Sequence, residues 1–220
     1  MKTKLLFIAV SCLFCLALPL LSGCGNVDRV ARYHKLAEQG DAEAQFRLGD
    51  LYHSGMDVPQ DATEAAKWFR KAAEQGHAEA QLTLGMLYLY GRGLPEDKEE
   101  AIEWIRKSAE GGYDVAQMRL ADRYYKGEGV AEGKSEAVKW YRIVAEQQGV
   151  VQADAMFMLG LCYHEGAGVP KDTAEAIRWM RKAEEAFSKR ITRPAGDNQT
   201  TCCPAGDNPA TDFLRDIEET

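Results

Sequence analysis

The chain has no excess of basic residues. It carries 27 lysines and arginines against 34 aspartates and glutamates, a formal net charge of −7. Two of the bases and none of the acids fall in residues 1–23, so loss of that segment would leave a net charge of −9. Nucleic acids and anionic lipid surfaces both attract basic faces. The composition therefore excludes a typical nucleic-acid-binding protein and argues against membrane adsorption by charge alone.

The sequence also lacks the residue patterns of common catalytic and metal sites. Its four histidines form no HExxH motif or cysteine–histidine cluster, and there is no GxSxG, SxxK or phosphate-binding loop. Cys162 and His164 are close in sequence, but residues two apart on a helix point about 200° away from each other. We therefore predict no catalytic residue, no metal ligand and no cofactor, and interpret the chain as a non-enzyme.

The six cysteines do not form a disulfide or zinc framework. Two lie in the apolar leader, one ends the leader, one falls in a helical pattern and two are adjacent in a polar tail. In that order they are Cys12 and Cys15, Cys24, Cys162, and Cys202 and Cys203. We interpret Cys162 as a small apolar core residue. Whether it or the tail pair forms disulfides stays open.

Residues 1–23 have the organisation of an export signal. Lys2 and Lys4 precede an uncharged apolar run that ends at Leu21-Ser22-Gly23-Cys24. This ending resembles the lipobox of bacterial lipoproteins, which implies cleavage after residue 23, lipid attachment to Cys24 and a short linker over 24–29. An ordinary secretion signal and an uncleaved anchor helix remain alternatives, because the run has about 17 residues, near the shortest span of a bilayer.

The residue after the cysteine is Gly25 rather than aspartate. This resembles the sorting pattern of outer-membrane lipoproteins. The resemblance implies a lipid-anchored protein of the bacterial cell envelope, which faces the periplasm from the outer membrane where two membranes are present.

The tryptophans mark an internal repeat. Trp68, Trp104 and Trp140 are 36 residues apart, and Trp179 follows 39 residues later. A Leu-Gly pair, a tyrosine, a glycine and an alanine recur in step; in the second repeat they are Leu84-Gly85, Tyr88, Gly91 and Ala101. A fixed period of this length is typical of stacked repeat units, each built around one supersecondary motif.

Each repeat reads as two helices. In the second, apolar residues at helical spacing run over 78–90, a Gly/Pro-rich loop follows, and Asp97 with Glu100 forms a capping-box pattern before the next helix. Gly111 marks the end of that helix. The tryptophan, leucine and tyrosine columns are interpreted as core, and the small residues Gly85 and Ala101 mark where the two helices approach closely.

The repeated pattern Ala-Glu-Gln-Gly … Leu-Gly … Tyr … Gly-x-Gly … Ala … Trp resembles the Sel-one-like repeat, a relative of the tetratricopeptide repeat. The resemblance covers about 147 residues, with departures at Asp57, Ala121 and Ile143-Val144. It implies an all-α fold: a right-handed α-solenoid of antiparallel helix pairs that mediates protein–protein contacts. We expect about four units and an N-terminal half-repeat cap within 30–187. Residues 188–220, with two Pro-Ala-Gly-Asp-Asn copies, are predicted to be disordered apart from a frayed helix near the end.

The first helix of each repeat carries a second stripe at i, i+4 and i+7, whose residues change while the core columns hold. We predict that these twelve residues, called here the predicted stripe, line a concave partner-binding surface by analogy with tetratricopeptide arrays: Phe46, Asp50, His53, Leu82, Met86, Leu89, Met118, Asp122, Tyr125, Phe157, Leu161 and His164. It would suit a peptide with apolar anchors and one or two basic residues. Burial of its apolar members between repeats is the alternative.

Three functions follow from these observations. The first is a lipid-anchored envelope scaffold that binds a protein or peptide partner and no nucleic acid; its oligomeric state stays open. The second is a cell-wall or β-lactam hydrolase. Cysteine-rich relatives linked to that chemistry carry regular Cys pairs within their repeats, which this chain lacks. The third is a structural spacer on the envelope.

Overall fold

A computed structural model describes residues 24–128, 133–191 and 208–218. Residues 1–23, which include the proposed signal, and the pair Cys202 and Cys203 lie outside the described residues. Within the described ranges all regular structure is helical: α1 Cys24–Glu38, α2 Ala42–Ser54, α3 Ala62–Glu74, α4 Ala78–Tyr90, α5 Lys98–Glu110, α6 Asp114–Lys126, α7 Lys134–Glu146, α8 Gln152–Glu165, α9 Thr173–Ile191 and α10 Pro209–Glu218. None of these described helices combines the length and apolarity needed to cross a membrane.

The helices form four consecutive pairs, α2/α3, α4/α5, α6/α7 and α8/α9, and each helix packs against its neighbours in sequence. We call the first helix of each pair helix A and the second helix B. The predicted all-α solenoid of four helix pairs preceded by a half-repeat is confirmed.

Local signals fix where each helix starts and stops. The side chain of Asp97 accepts a hydrogen bond from the Glu100 amide at 3.0 Å, as the capping pattern predicts. Gly91 ends the preceding helix in the left-handed conformation, with φ of 61°. The Asp97 amide then donates to the carbonyl of Tyr88 at 3.0 Å. Equivalent bonds close the other three A–B loops: Asp61 to Tyr52, Gly133 to Tyr124 and Asp172 to Tyr163.

The two helices of a pair approach at the recurrent small residue. A β-carbon on Gly85 would lie 2.8 Å from Cγ1 of Ile105 and 2.9 Å from the carbonyl oxygen of Ala101. Gly49 and Gly160 face Phe69 and Met180 in the same way. The close approach predicted at Gly85 is therefore present, because a β-carbon there would meet atoms of helix B.

The tryptophans pack as core residues, and in three of the four repeats a lysine side chain lies over the indole ring. Trp68 and Trp104 are buried, and Trp140 and Trp179 are half-buried. A lysine one turn on lies over three of the four indoles, with Nζ at 3.8, 4.1 and 4.2 Å from the ring centroid for Lys71, Lys107 and Lys182. Ile143 takes that place beside Trp140 and is 41% exposed.

A glutamine, buried in the first three repeats and half-buried in the fourth, joins each repeat to the helix B before it. Its side-chain amide donates to the carbonyl of the alanine in the last turn of that helix. The pairs are Gln45 to Ala37, Gln81 to Ala73, Gln117 to Ala109 and Gln152 to Ala145, at 3.0, 3.0, 3.0 and 3.2 Å. The first pair places α1 as a helix B, in agreement with the expected half-repeat cap.

The segment 24–29 is not an irregular linker as expected, because α1 begins at Cys24. Arg29 in its second turn forms an ion pair with Asp57 of the first A–B loop. This contact joins the second turn of α1 to the first repeat.

In the described part of 188–220 the structure is helical, and α10 overlaps the short helix that the sequence analysis expects near the end. Helix α9 continues to Ile191, and α10 packs against it. Ala210 and Leu214 are buried in a cluster with Phe187 of α9, and Thr211 donates to the Glu184 carboxylate at 2.8 Å. Apolar residues at 210, 213 and 214 form a short amphipathic face, a signal obscured by the Pro/Gly-rich text before it.

Candidate functional site

The apolar first positions of the predicted stripe lie between repeats rather than on a free surface. Phe46 is 4% exposed and stacks on the His77 ring of the next repeat at a centroid distance of 4.8 Å. It also contacts Phe69 at 5.6 Å. Phe46 is therefore removed from the candidate binding surface, because stacking of the second repeat covers it.

The equivalent residues follow the same geometry with less complete burial. Leu82 and Leu89 are half-buried against the cluster that contains Leu120 of the third repeat. Met118 packs on the cluster of the third and fourth repeats. Phe157 packs on the cluster that includes α10. These side chains line the seams between successive helices A, and only part of each reaches the surface.

The polar members of the predicted stripe differ in how far they are engaged. Asp50 is exposed. Asp122 instead accepts a hydrogen bond from the hydroxyl of buried Tyr141 at 2.8 Å. Burial raises the pKa of Tyr141, and the Asp122 carboxylate raises it further. Tyr125 donates to Glu165 at 2.7 Å, and partial burial together with this carboxylate raises the pKa of Tyr125 to about 12.

The two histidines of the predicted stripe face aromatic rings edge-on. His53 lies 6.3 Å from Phe69, and His164 lies 5.1 Å from Phe213 of α10. Within the described part of the chain, the buried Nδ1 atom of each ring has no hydrogen-bond partner. Both rings thus act mainly as flat packing surfaces, and α10 covers His164 and Phe157 at the C-terminal end of the array.

The exposed surface of helices A lies at positions partly different from those predicted. Three positions per helix, spaced i, i+3 and i+7, are half-buried or exposed in all four repeats. We call this set the helix-A face: Arg47, Asp50, Ser54, Thr83, Met86, Tyr90, Arg119, Asp122, Lys126, Met158, Leu161 and Glu165. It shares Asp50, Met86, Asp122 and Leu161 with the predicted stripe.

The charged groups at the two ends of the helix-A face have partners within the protein: an ion pair in the first repeat and a tyrosine hydrogen bond in the fourth. In the first repeat Arg47 contacts Glu43 at 2.7 Å, and His77 contacts the same carboxylate at 3.0 Å. Hydrogen bonds from His77 and Arg47 lower the pKa of Glu43. In the fourth repeat the Glu165 carboxylate receives the Tyr125 hydroxyl.

The middle of the helix-A face combines apolar and basic residues. Met86 and the 60% exposed Tyr90 come from the second repeat, and Arg119 and Lys126 from the third. The guanidinium of Arg92 lies 5.7 Å from the centroid of the Tyr90 ring. The ends of the helix-A face therefore carry charged groups with internal partners, and the middle carries exposed apolar and basic side chains together with Asp122, which is bonded to Tyr141.

A shallow cavity of about 310 Å³ lies at this middle region, where the second and third repeats meet. Its lining residues are Leu89, Tyr90, Lys98, Arg123 and Glu128. The periodicity of the sequence did not predict that Arg123 and Lys98 line one cavity, because they belong to different helices that are brought together only by the stacking of the repeats.

The described residues offer no alternative site of covalent or metal chemistry. No group of three His, Cys, Asp or Glu side chains among them is arranged to hold a metal ion. Cys162 is a buried thiol, and burial raises its pKa to about 12, so it is held in the protonated, unreactive form. Its interpretation as a core residue agrees with its place in the cluster around Tyr141.

Stacked helix pairs with a constant core and a varied exposed face define the chain as a tandem helical-repeat protein. More specifically, it belongs to the Sel1 repeat family: the family profile matches residues 42–77, 78–113, 114–148 and 153–186. Each match begins with a helix A. Proteins of this family are generally scaffolds for protein–protein interaction.

Solved structures and a curated relative support this assignment. The chain is 39% identical to c5321, described as a protective antigen of uropathogenic Escherichia coli, with a TM-score of 0.67 over 71% of this chain and 33% of that one. It is 36% identical to a Sel1 repeat protein from Oxalobacter formigenes, with a TM-score of 0.65 over 71% and 63% of the two chains. It is 40% identical over 70 residues to EsiB, a secretory immunoglobulin A-binding protein of Escherichia coli O6:H1, over 32% of this chain and 14% of EsiB. The chain thus spans less than two thirds of each of these relatives.

Proposed function

We propose that this protein is a lipid-anchored scaffold of the bacterial envelope that binds a protein partner through the helix-A face. The anchor is Cys24, and the partner contacts are made by side chains that vary between repeats. The array contributes shape, apolar contact and charge, without catalysis.

One comparison within the chain carries this proposal. Four leucines, one in each helix A, are completely buried: Leu48, Leu84, Leu120 and Leu159. The residue immediately before each leucine reaches the surface and is not constant: it is basic in the first and third repeats (Arg47 and Arg119), polar in the second (Thr83) and apolar in the fourth (Met158). A structural spacer needs the first set only, whereas a surface that recognises a particular partner also needs variation in the second.

The anchor is supported by the leader and by the position of Cys24. Because α1 starts at Cys24 and packs as a helix B against the first repeat, a lipid on this residue would hold the array close to the bilayer. Two or more acyl chains are needed for stable attachment, since each buried methylene contributes about 0.8 kcal/mol. The names of the relatives support a protein as the ligand and an exposed envelope location.

Site-specific cross-linking in cells tests the binding surface. A photoreactive amino acid at Thr83 or Arg119 is expected to capture a distinct partner. The same residue at Glu103 or Lys139, exposed positions on helices B, serves as the matched control. Equal capture from both sets, or none from the helix-A face, would contradict the proposal.

The anchor has a separate test. The wild-type protein is expected to incorporate labelled fatty acid, and the substitution Cys24→Ala to abolish that incorporation. A wild-type protein that stays in the membrane fraction without incorporating the label would indicate the uncleaved anchor helix instead.

A further inference from the structure

We infer that the partner presents an acidic segment with an apolar or aromatic neighbour, and that this segment docks in the cavity between the second and third repeats. The inference rests on the proposed function and specifies the class of ligand that the helix-A face recognises. It differs from the sequence-based expectation of a basic peptide, because in the structure Asp122 is bonded to Tyr141, whereas Lys98 and Arg123 line the cavity.

The cavity has the shape and lining of a small anchoring site. Leu89 and Tyr90 supply an apolar and aromatic wall, and Lys98 and Arg123 supply two cations within the same 310 Å³ space. Tyr90 is 60% exposed although it is large and aromatic. Exposed aromatic residues beside cations are typical of the centres of protein-binding surfaces, where they fill or form pockets for a partner side chain.

The two cations have only loose intramolecular partners. Nη1 of Arg123 is 3.8 Å from the Glu128 carboxylate and 3.4 Å from the Glu128 carbonyl oxygen. Nζ of Lys98 is 3.6 Å from Glu96, and the Lys98 and Glu96 side chains are more than half exposed, whereas the Arg123 side chain is 18% exposed. All of these contacts are longer than a charge-assisted hydrogen bond, so a ligand carboxylate that reaches about 2.8–3.0 Å could replace them with shorter bonds.

The nearest acid of the helix-A face is already engaged. Asp122 accepts the hydroxyl of Tyr141 at 2.8 Å, which directs this carboxylate toward helix B of its own repeat. The cavity lining itself carries two cations, Lys98 and Arg123, and one carboxylate, Glu128. A basic ligand at this place would therefore face like charges, and an acidic one would face complementary charges.

The positive charge of the cavity is opposite in sign to the net charge of the whole chain. The protein carries a formal net charge of −7, so its overall field repels an acidic ligand from most of the surface. The two cations that line the cavity, Lys98 and Arg123, overcome this only at short range. Recognition should therefore be confined to this cavity and should weaken with salt.

Peptide binding to the intact protein tests the inference. The probe is a short fluorescent peptide of Asp and Glu interspersed with Leu and Phe, and the control peptide has Lys at every acidic position. We expect the acidic peptide to bind at least about tenfold more tightly than the lysine peptide. Equal binding of the two, tighter binding of the lysine peptide, or no binding of the acidic peptide would overturn the inference.

Three substitutions locate the site, because two should weaken binding of the acidic peptide and the third should tighten it. Arg123→Gln and Lys98→Gln should each weaken binding of the acidic peptide, and Glu128→Gln should tighten it because the internal competitor for Arg123 is removed. Arg106→Gln is the matched control: it makes the same charge change on helix B, where Arg106 pairs with Glu103. Equal weakening by Arg106→Gln would show non-specific charge attraction and would overturn the inference.

The outcomes separate this inference from the proposed function. If Arg123→Gln fails to fold, the exposed Lys98→Gln and Glu128→Gln variants still decide the question. If cross-linking at Thr83 captures a partner while the acidic peptide does not bind, the inference fails and the scaffold function stands. If the acidic peptide binds at the cavity but no partner is captured in cells, the ligand class is supported and the proposed cellular function fails.

Discussion

Gly93, in the A–B loop of the second repeat, lies directly over Ala62 at the amino terminus of α3 in the first repeat. A β-carbon on Gly93 would overlap the Ala62 carbonyl and lie 2.9 Å from the backbone nitrogen of Thr63. Gly168 of the fourth repeat meets Lys134 and Ser135 of α7 in the same manner. The loop of one repeat thus seats on the helix B of the repeat before it, and a residue without a side chain is required at the contact.

We expect Gly93→Ala to destabilise the protein by more than about 3 kcal/mol, because the added carbon meets rigid backbone and the φ of 73° strains any other residue. Gly112→Ala separates the two causes. Gly112 has a φ of 90° but no atom within 4 Å of the added carbon, so that substitution should cost only about 1–2 kcal/mol. Denaturant unfolding of both variants measures the difference, and equal losses would contradict the contact.

The first repeat shows why this contact was not predictable from the sequence. Asp57 stands at the matching position and adopts a φ of 66° despite its side chain. No complete helix pair precedes it, and its carboxylate instead reaches Arg29 of α1. The departure from glycine, visible in the sequence as a deviation from the pattern, becomes explicable only once the cap helix is placed beside the loop.

Gln45 and Gln117 occupy the same column, three residues before the buried leucine of helix A, but their hydrogen bonding is not equivalent. Gln45 uses both ends of its amide: it donates to Ala37 at 3.0 Å and accepts from Gln75 at 2.7 Å. Gln117 donates to Ala109 at 3.0 Å, but its buried Oε1 has no partner in the described part of the chain. An unsatisfied buried acceptor is costly, so removing it recovers part of the loss.

We therefore expect Gln45→Leu to cost more than Gln117→Leu, by about 1 kcal/mol. The substitutions are isosteric enough that packing changes should be similar. Equilibrium unfolding in urea measures both losses. A larger loss for Gln117→Leu would indicate that its Oε1 is bonded in solution.

Periodicity predicted the repeat, the helix pairs, the caps and the small residues between helices, because these depend on neighbours within one unit. It did not resolve which side of helix A stays open. Phe46 and Asp50 are only one helical turn apart, yet stacking of the next repeat covers the first and leaves the second in solvent. On helix A, the first position covered by the next repeat and the first exposed position are neighbours in sequence, about 100° apart around the helix axis. The pattern of a single repeat does not predict which of the two is covered, because that depends on how the next repeat stacks.

The buried pair of Tyr141 and Asp122 predicts a dependence of stability on alkaline pH. Burial and the Asp122 carboxylate raise the pKa of Tyr141 in the folded state above its unfolded value, near 10. Below that pH both states hold the proton and the hydrogen bond contributes fully. Above it the unfolded state loses the proton first, so the contribution falls as pH rises, by up to about 1.4 kcal/mol per pH unit.

The measurement compares the wild-type protein with Tyr141→Phe. At neutral pH the variant should be less stable by about 1.5–3 kcal/mol, since it loses a hydrogen bond to a charged group. That difference should shrink as the pH is raised through about 10. Tyr125→Phe, which removes a more exposed hydroxyl bonded to Glu165, is the control and should show a smaller neutral-pH effect. A wild-type advantage that grows with pH would contradict the assignment.

The docking of α10 gives the last prediction. Its contact with the array depends mainly on Ala210, Phe213 and Leu214, and Leu214 is 7% exposed. A terminal helix held by so few side chains should open locally without unfolding the repeats. Leu214→Ala removes about 2–3 kcal/mol of packing, which should undock the helix and uncover the half-buried Phe157.

Amide hydrogen exchange distinguishes docking from disorder in this segment. Wild-type amides over 210–214 should be protected, and Leu214→Ala should remove that protection while the amides of α4 and α5 keep theirs. Asp212→Ala, at an exposed position of the same helix, should leave protection nearly unchanged. Unprotected amides in the wild type would restore the sequence-based expectation of a disordered tail. Because each repeat contacts only its neighbours, loss of protection that spread to the second repeat would instead mean that α10 stabilises the whole array.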